Sequence, residues 1–227
     1  MEHLYHIFCA CLRLQFLDVE TNPSLQHPVP DVCRILISNV RGLTGNLSDL
    51  TVELSRNDIL LCSETLVSDM HRVSELLVPR FGYPVLWCRG KMHRARGMTA
   101  YIWDGYGAFC QPKFECGSCE MIFRVCGVRQ NLYVLSLFIN PDQDDQIFYC
   151  ILISMAAMQA EDVHASFLFV GDLNGNHQQW LGSPTTNRHG VAAFDLTLSG
   201  CDQLVVGLTH ARGRTLDPQM TDTPDLA

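Results

Sequence analysis

From residue 33 onward, short apolar runs rich in branched and aromatic side chains alternate with polar, turn-forming stretches. Cys33 to Ile37, Asp58 to Cys62, Pro84 to Cys88, Met98 to Trp103, Met121 to Cys126, Leu132 to Phe138, Ser166 to Val170 and Leu204 to Val206 each have the length and residue types of a strand. Helical spacing of apolar positions covers Asn46 to Arg56, Ser68 to Val78, Asp144 to Glu161 and Gly190 to Leu198. Asp144 and Asp145 open the third of these, where negative charge suits the positive end of the helix dipole. Strands cluster between residues 84 and 138 and alternate with helices elsewhere, a pattern that predicts an α/β domain with mixed sheets rather than a purely parallel, doubly wound one. Ahead of the first of these runs, Asn22 to Pro30 is rich in proline and polar residues, so residues 1–30 read as an N-terminal extension and linker and residues 31–227 as the domain.

Composition narrows the classes. With 227 residues, 47% of them hydrophobic, the chain is long enough for one domain with a substantial core and too apolar for intrinsic disorder. Its net charge of −8 argues against a protein held on nucleic acid by overall positive charge, but not against an enzyme that meets nucleic acid locally. The longest nearly unbroken apolar run, Phe148 to Met158, falls well short of the roughly 20 residues that span a bilayer, and reads as a buried helix. No Lys or Arg precedes Arg13, so the N-terminus lacks the basic start of a secretory signal, and an intracellular protein, nuclear or cytoplasmic, is expected. The 11 cysteines are odd in number, and Cys33, Cys62 and Cys126 sit in strand-like runs, which favours free buried thiols over a disulfide framework. Cys116 and Cys119 have metal-like spacing but no second ligand pair, so a turn between strands is the expectation there.

Three polar clusters lie just after apolar runs: Ser38 to Gly42, Ser63-Glu64-Thr65, and Gly171-Asp172-Leu173-Asn174-Gly175. Taken singly, each is ordinary turn chemistry. Together they place carboxylates and amides at strand ends, where sites collect in α/β sheets. Such oxygen donors suit Mg²⁺, which takes one or two protein carboxylates and completes its shell with water and substrate phosphate. Phosphodiester hydrolysis needs this set, a cation to polarise the phosphoryl oxygen and a further carboxylate to orient or deprotonate water.

Asn39, Ser63-Glu64-Thr65, Gly171 to Asn174, and Thr209-His210 followed by Thr215-Leu216-Asp217, in that order, resemble the motifs of the endonuclease/exonuclease/phosphatase superfamily, the DNase I-like proteins. Within it the segment Leu208 to Asp222 is most similar to the endonuclease domains of non-LTR, LINE-type retrotransposon proteins. The resemblance covers about residues 33 to 222. It implies a four-layer α/β sandwich of two packed sheets flanked by helices, a Mg²⁺ cofactor that Mn²⁺ could replace, and DNA as the substrate to be nicked. Neither a membrane nor an obligate protein partner is implied. By the same resemblance Glu64 is the main metal ligand, with Asn39 assisting, Asp172 aligns or deprotonates the attacking water, Asn174 holds the scissile phosphate, and Asp217 fills the place of the acid that orients a catalytic histidine.

Two departures qualify it. Where the family carries a tyrosine before the Asp172 strand, this chain has Phe138, which keeps the packing and loses a hydroxyl. The family's closing Ser-Asp-His strand has no counterpart in the ten residues after Asp217, so an incomplete domain is expected. A fold kept without turnover is therefore an alternative to the active nuclease, and a phosphatase or lipid phosphodiesterase on the same scaffold is a third reading. Arg89, Lys91, Arg94 and Arg96 put four of the 16 basic residues into eight positions, either a solvated loop or, with Arg212 and Arg214, a track for a nucleic-acid backbone. Arg96, Thr209, Phe138 and His177 are the substrate-side candidates, although a histidine just after the Asp172 loop is also a natural turn cap. Trp87, Trp103 and Trp180 read as packing residues.

Overall fold

A computed structural model describes residues 7–12, 33–67, 73–81, 85–87, 97–115, 120–126, 131–204 and 219–222 of the chain. Among these residues lie two mixed sheets, one in each of two compact units, the first spanning most of residues 1–108 and the second most of residues 109–225.

The first sheet has five strands: β1 (Ile7–Leu12), β2 (Cys33–Asn39), β3 (Ile59–Ser63), β4 (Val85–Trp87) and β5 (Met98–Ile102), in the spatial order β1-β2-β3-β5-β4. Only β2 and β3 run parallel, Ile35 opposite Ile59 and Asn39 opposite Ser63. Parallel neighbours need a crossover, and helix α1 (Leu43–Leu54) provides it. Alternation along the strands sends Leu36, Leu60, Cys62 and Tyr101 into one cluster with Leu43, Leu50 and Leu54 of α1, while Ile35, Ile37 and Asn39 lie on the other face.

The second sheet has six strands, β6 (Ala108–Cys110), β7 (Glu120–Val125), β8 (Leu132–Phe138), β9 (Ser166–Asp172), β10 (Asp202–Gln203) and β11 (Met220–Thr221), ordered β10-β11-β9-β8-β7-β6. Here β8 and β9 are the parallel pair, joined by α2 (Gln146–Glu161). Residues 132–137 and 166–172 are buried without interruption, the signature of central strands covered on both faces. Tyr133, Leu135, Leu137, Phe167 and Phe169 pack with Ile147, Phe148, Ile151 and Met158 of α2 and with Ala193 and Leu196 of α4 (Arg188–Leu198). A short helix, α3 (Gln178–Leu181), precedes α4.

The α/β class with mixed sheets is as expected, and seven of the eight strand expectations meet a strand within a residue or two at each end. The eighth, Leu204 to Val206, lies outside the described residues except for Leu204, which follows β10 and donates its N–H to the Gln219 carbonyl. Of the helix expected over 68–78, the described part is one 3₁₀ turn, Val73–Leu76, where Leu76 offers its carbonyl to the Tyr101 hydroxyl. The N-terminal extension contributes an edge strand, since Ile7–Leu12 pairs antiparallel with β2 from Ile7 opposite Ser38 to Leu12 opposite Cys33. Cys33, Cys62, Cys110, Cys126, Cys150 and Cys201 are free thiols. Burial pushes the Cys62 thiol far above its ordinary range, and burial, helped by Asp222 and Asp202, raises Cys201 to about 11. Among the described residues no helix is long and apolar enough to cross a membrane.

Gly171 has φ +131°, and a Cβ there would sit 1.9 Å from the Leu137 carbonyl oxygen of the neighbouring strand. Gly171→Ala should therefore destabilise the fold by roughly 3 kcal/mol, combining disfavoured backbone with a backbone clash. Gly45, in the first turn of α1, is the control, because a Cβ at that position would meet nothing within 4 Å. Gly45→Ala should be neutral or stabilising by up to about 1 kcal/mol. Urea unfolding of the two variants checks both signs.

Candidate active site

The first group of candidate residues forms where β2 and β3 end. Beyond the ladder the two chains stay zipped: Val40 N–H donates to Ser63 O at 3.1 Å, Gly42 N–H to Glu64 O at 2.9 Å and Leu43 N–H to Thr65 O at 2.8 Å. Asn46, one turn into α1, clamps the same loop by donating to the carbonyls of Val40 and Gly42 at 2.9 and 2.8 Å. Glu64 is held at φ 52°, a left-handed conformation that costs an L-residue roughly 1–2 kcal/mol. That backbone turn accompanies the contact that defines the group, Asn39 Nδ2 donating to Glu64 Oε1 at 2.8 Å.

The other end of the same amide is the decisive atom. Asn39 Oδ1 is buried and, among the described residues, has no hydrogen-bond partner. An unsatisfied buried carbonyl costs about 1–3 kcal/mol, and a cation bound beside Glu64 would satisfy it. Among the described residues no three His, Cys, Asp or Glu side chains gather as a metal cluster. Asn39 and Glu64 would thus contribute one amide oxygen and one carboxylate, a sparse protein donor set of the kind Mg²⁺ accepts when water and phosphate complete the shell. The residues present fit the expected cofactor.

The second group forms where β8 and β9 end. Phe138 and Asp172 are direct partners in the parallel ladder, on the sheet face opposite the one that α2 and α4 cover. Asp172 is buried and Phe138 half-buried. Ile139 N–H donates to Asp172 O at 2.9 Å, extending the ladder by one step. The Asp172 carboxylate accepts the Asn174 N–H at 2.9 Å, an Asx turn that reverses the chain at once, with Asn174 at φ 46°. Asn174 then reaches across to the residue just after β8, its Nδ2 donating to Ile139 O at 2.9 Å. This commits one of its two amide protons.

The structure thus brings Asn39 to Glu64, and Phe138 to Asp172 and Asn174. It gives His177 a task of its own within the fold. Its Nδ1 accepts the Trp180 N–H at 3.1 Å, capping α3, and its ring stacks on Phe194 with centroids 4.8 Å apart. Trp180 and Trp103 pack against the cores of their respective units, as expected. Arg96, Thr209 and Asp217 lie outside the described residues, as do the rest of the basic 89–96 segment, Arg212, Arg214 and the Cys116 and Cys119 pair. Sequence reasoning overlooked two asparagines. Asn46 clamps the loop after Asn39, and Asn187 caps α4 while binding the loop after Asp172. Asn187, immediately before Arg188-His189-Gly190 and an apolar helical run, carries the usual N-cap signal and was legible as such.

Solved structures with the same arrangement of elements place this architecture. The endonuclease domain of TRAS1, a telomere-specific non-LTR retrotransposon, superposes with a TM-score of 0.61 over 83% of this chain and 83% of its own, at 14% identity. The AP endonuclease LMAP from Leishmania major gives 0.57 over 84% and 79%, at 15% identity. The catalytic domain of APE2 from Xenopus laevis gives 0.62 over 82% and 81%, at 12% identity. The chain has the DNase I-like fold. No protein-family model and no curated protein sequence matches it, so the likeness is one of structure. Within the DNase I-like fold, the two strand-end groups described above are where this chain concentrates carboxylates and amides at the ends of its parallel strands.

If His177 acts as a cap, His177→Ala should lower stability by about 1–2 kcal/mol through loss of the cap and the ring stack. His177→Asn, which retains a cap acceptor, should recover part of that loss. Chemical denaturation of the three proteins measures the order.

Proposed function

We propose that this chain is a Mg²⁺-dependent phosphodiesterase that nicks DNA. The observation that carries the reading is Asn39 Oδ1, buried and unpartnered among the described residues, beside a Glu64 carboxylate that Asn39 itself holds in place. The DNase I-like fold, and neighbours named as endonucleases, support it.

Glu64 and Asn39 would hold the cation, with Mn²⁺ as an acceptable substitute. When bound, it supplies positive charge to the phosphoryl and leaving oxygens. Asp172, oriented by its bond from the Asn174 N–H, would accept the proton of the attacking water. Asn174 would donate its remaining amide proton to a phosphate oxygen, a contact that strengthens as charge develops there. The family resemblance puts Asp217 in the place of the acid that orients the family's catalytic histidine, and adds Thr209 and Arg96 on the substrate side.

A second reading, a fold kept without turnover, has one specific residue in its favour. Phe138 stands beside Asp172 with no hydroxyl to offer a phosphate. A hydrogen bond to a charged oxygen is worth about 1.5–3 kcal/mol, or roughly 10- to 150-fold in rate.

Supercoiled plasmid incubated with the protein should be nicked in Mg²⁺ and untouched in EDTA. Glu64→Gln and Asp172→Asn should each lower the nicking rate by about 10² to 10⁴ while leaving the unfolding midpoint close to wild type. Phe138→Tyr should raise it by about tenfold or more. Metal-independent nicking, or full activity in Glu64→Gln, rules the proposal out. Nicking that appears only in Phe138→Tyr establishes the second reading instead.

A further inference from the structure

The loop after β9 is held by more than its own turn. Asn187 Nδ2 donates to Asn174 O at 2.9 Å, and Asn187 Oδ1 accepts both the Asn176 N–H at 2.9 Å and the Gly190 N–H at 2.8 Å. Its backbone N–H donates to Asn176 O at 2.9 Å. One residue therefore caps α4 and ties down residues 174 and 176. Gly190 makes the approach possible, because a Cβ there would lie 1.9 Å from Asn176 O. The next two residues secure the adjacent loop, Arg188 Nη2 donating to the Gln143 carbonyl and His189 Nε2 lying 2.8 Å from the same oxygen. Since Asn174 Nδ2 also binds Ile139 O, the loops that follow β8 and β9 are cross-linked to each other and to the start of α4.

We infer that Asn187 is a positioning residue for the proposed reaction. Its amide N–H holds the Asn174 carbonyl, and so fixes the left-handed turn that aims the Asn174 side chain and orders the Asp172 carboxylate. A cap alone would need only the acceptor oxygen. The donor half of the amide is spent on the loop, at the Asn174 carbonyl. A displacement of about 1 Å in such a loop can cost about 10²-fold in rate. The inference rests on the nuclease reading for its effect on rate, but the anchoring itself is visible without turnover.

Asn187→Asp separates the two halves. The introduced carboxylate keeps the acceptors for the Asn176 and Gly190 N–H groups, and Asp caps helices as well as Asn. It cannot donate to Asn174 O, and at neutral pH it sets a negative charge against that carbonyl. Two readouts are expected. Hydrogen–deuterium exchange at the Asn174 amide should quicken at least tenfold while the α4 amides stay protected as in wild type. Plasmid nicking in Mg²⁺ should fall 10- to 100-fold, the loss falling on kcat with KM within about twofold. Asn187→Ser, which keeps a cap oxygen but is too short to reach Asn174, should reproduce both effects. Unchanged exchange at Asn174 with full nicking in Asn187→Asp would reduce Asn187 to a helix cap and overturn the inference. A wild-type protein that fails to nick overturns the nuclease reading instead, and the exchange measurement still decides the anchoring.

Discussion

Parallel pairing of two strands is the constraint on which the rest depends. Antiparallel neighbours can be joined by a tight turn at either end, but a parallel pair must send the chain back along its length, and both strands then finish at the same edge. Among the described residues this happens once in each unit, β2-α1-β3 and β8-α2-β9, and the candidate residues there gather at or just beyond those shared ends. Register sharpens the effect. Asn39 opposes Ser63, and Phe138 opposes Asp172. A slip of one residue would turn Asn39 or Asp172 onto the helix-covered face, among leucines and phenylalanines, so the apolar alternation that fixes the core also fixes where the polar ends point.

Beyond the last ladder bond the backbone leaves its comfortable regions. Arg41, Glu64 and Asn174 all have positive φ without being glycine. Each such residue costs on the order of 1 kcal/mol, a notable sum for a domain whose net stability would be in the usual range of about 5–15 kcal/mol. The cost is offset locally. The 40–43 and 63–65 segments share three backbone hydrogen bonds, and Asn46 and Asn187 add side-chain clamps to the two loops. Strain and clamping at the same few residues is the pattern of a preorganised site rather than of a loose connection.

How much of this the sequence discloses follows from the range of the interactions involved. The central strands were legible because burial on both faces writes an unbroken apolar run, as in residues 132–137. Helix starts were displaced by two or three residues, because Leu43, Gln146 and Arg188 are set by loop hydrogen bonds and caps rather than by apolar spacing. β10 and β11, of two residues each, leave no periodicity to read, and β1 is a short run ahead of a proline-rich stretch that reads as the boundary. Glu64 and Asp172 stood out because a carboxylate after an apolar run is conspicuous. Asn187 was legible only as a helix cap, since its loop contacts reach back 11 and 13 residues to atoms that the folded loop brings near.

The choice of amide over carboxylate at these positions follows from what each can donate. Asn39 meets a carboxylate, and an Asp in its place would bring two anions within hydrogen-bond distance, raising the proton affinity of both and weakening the charge that a cation needs. The amide instead spends its donor on Glu64 and keeps a neutral oxygen in hand. Asn174 and Asn187 follow the same logic, each donating to a carbonyl that a carboxylate would repel. Among the described residues the carboxylates of the two groups are thus Glu64 and Asp172, and the surrounding asparagines set their geometry without adding charge.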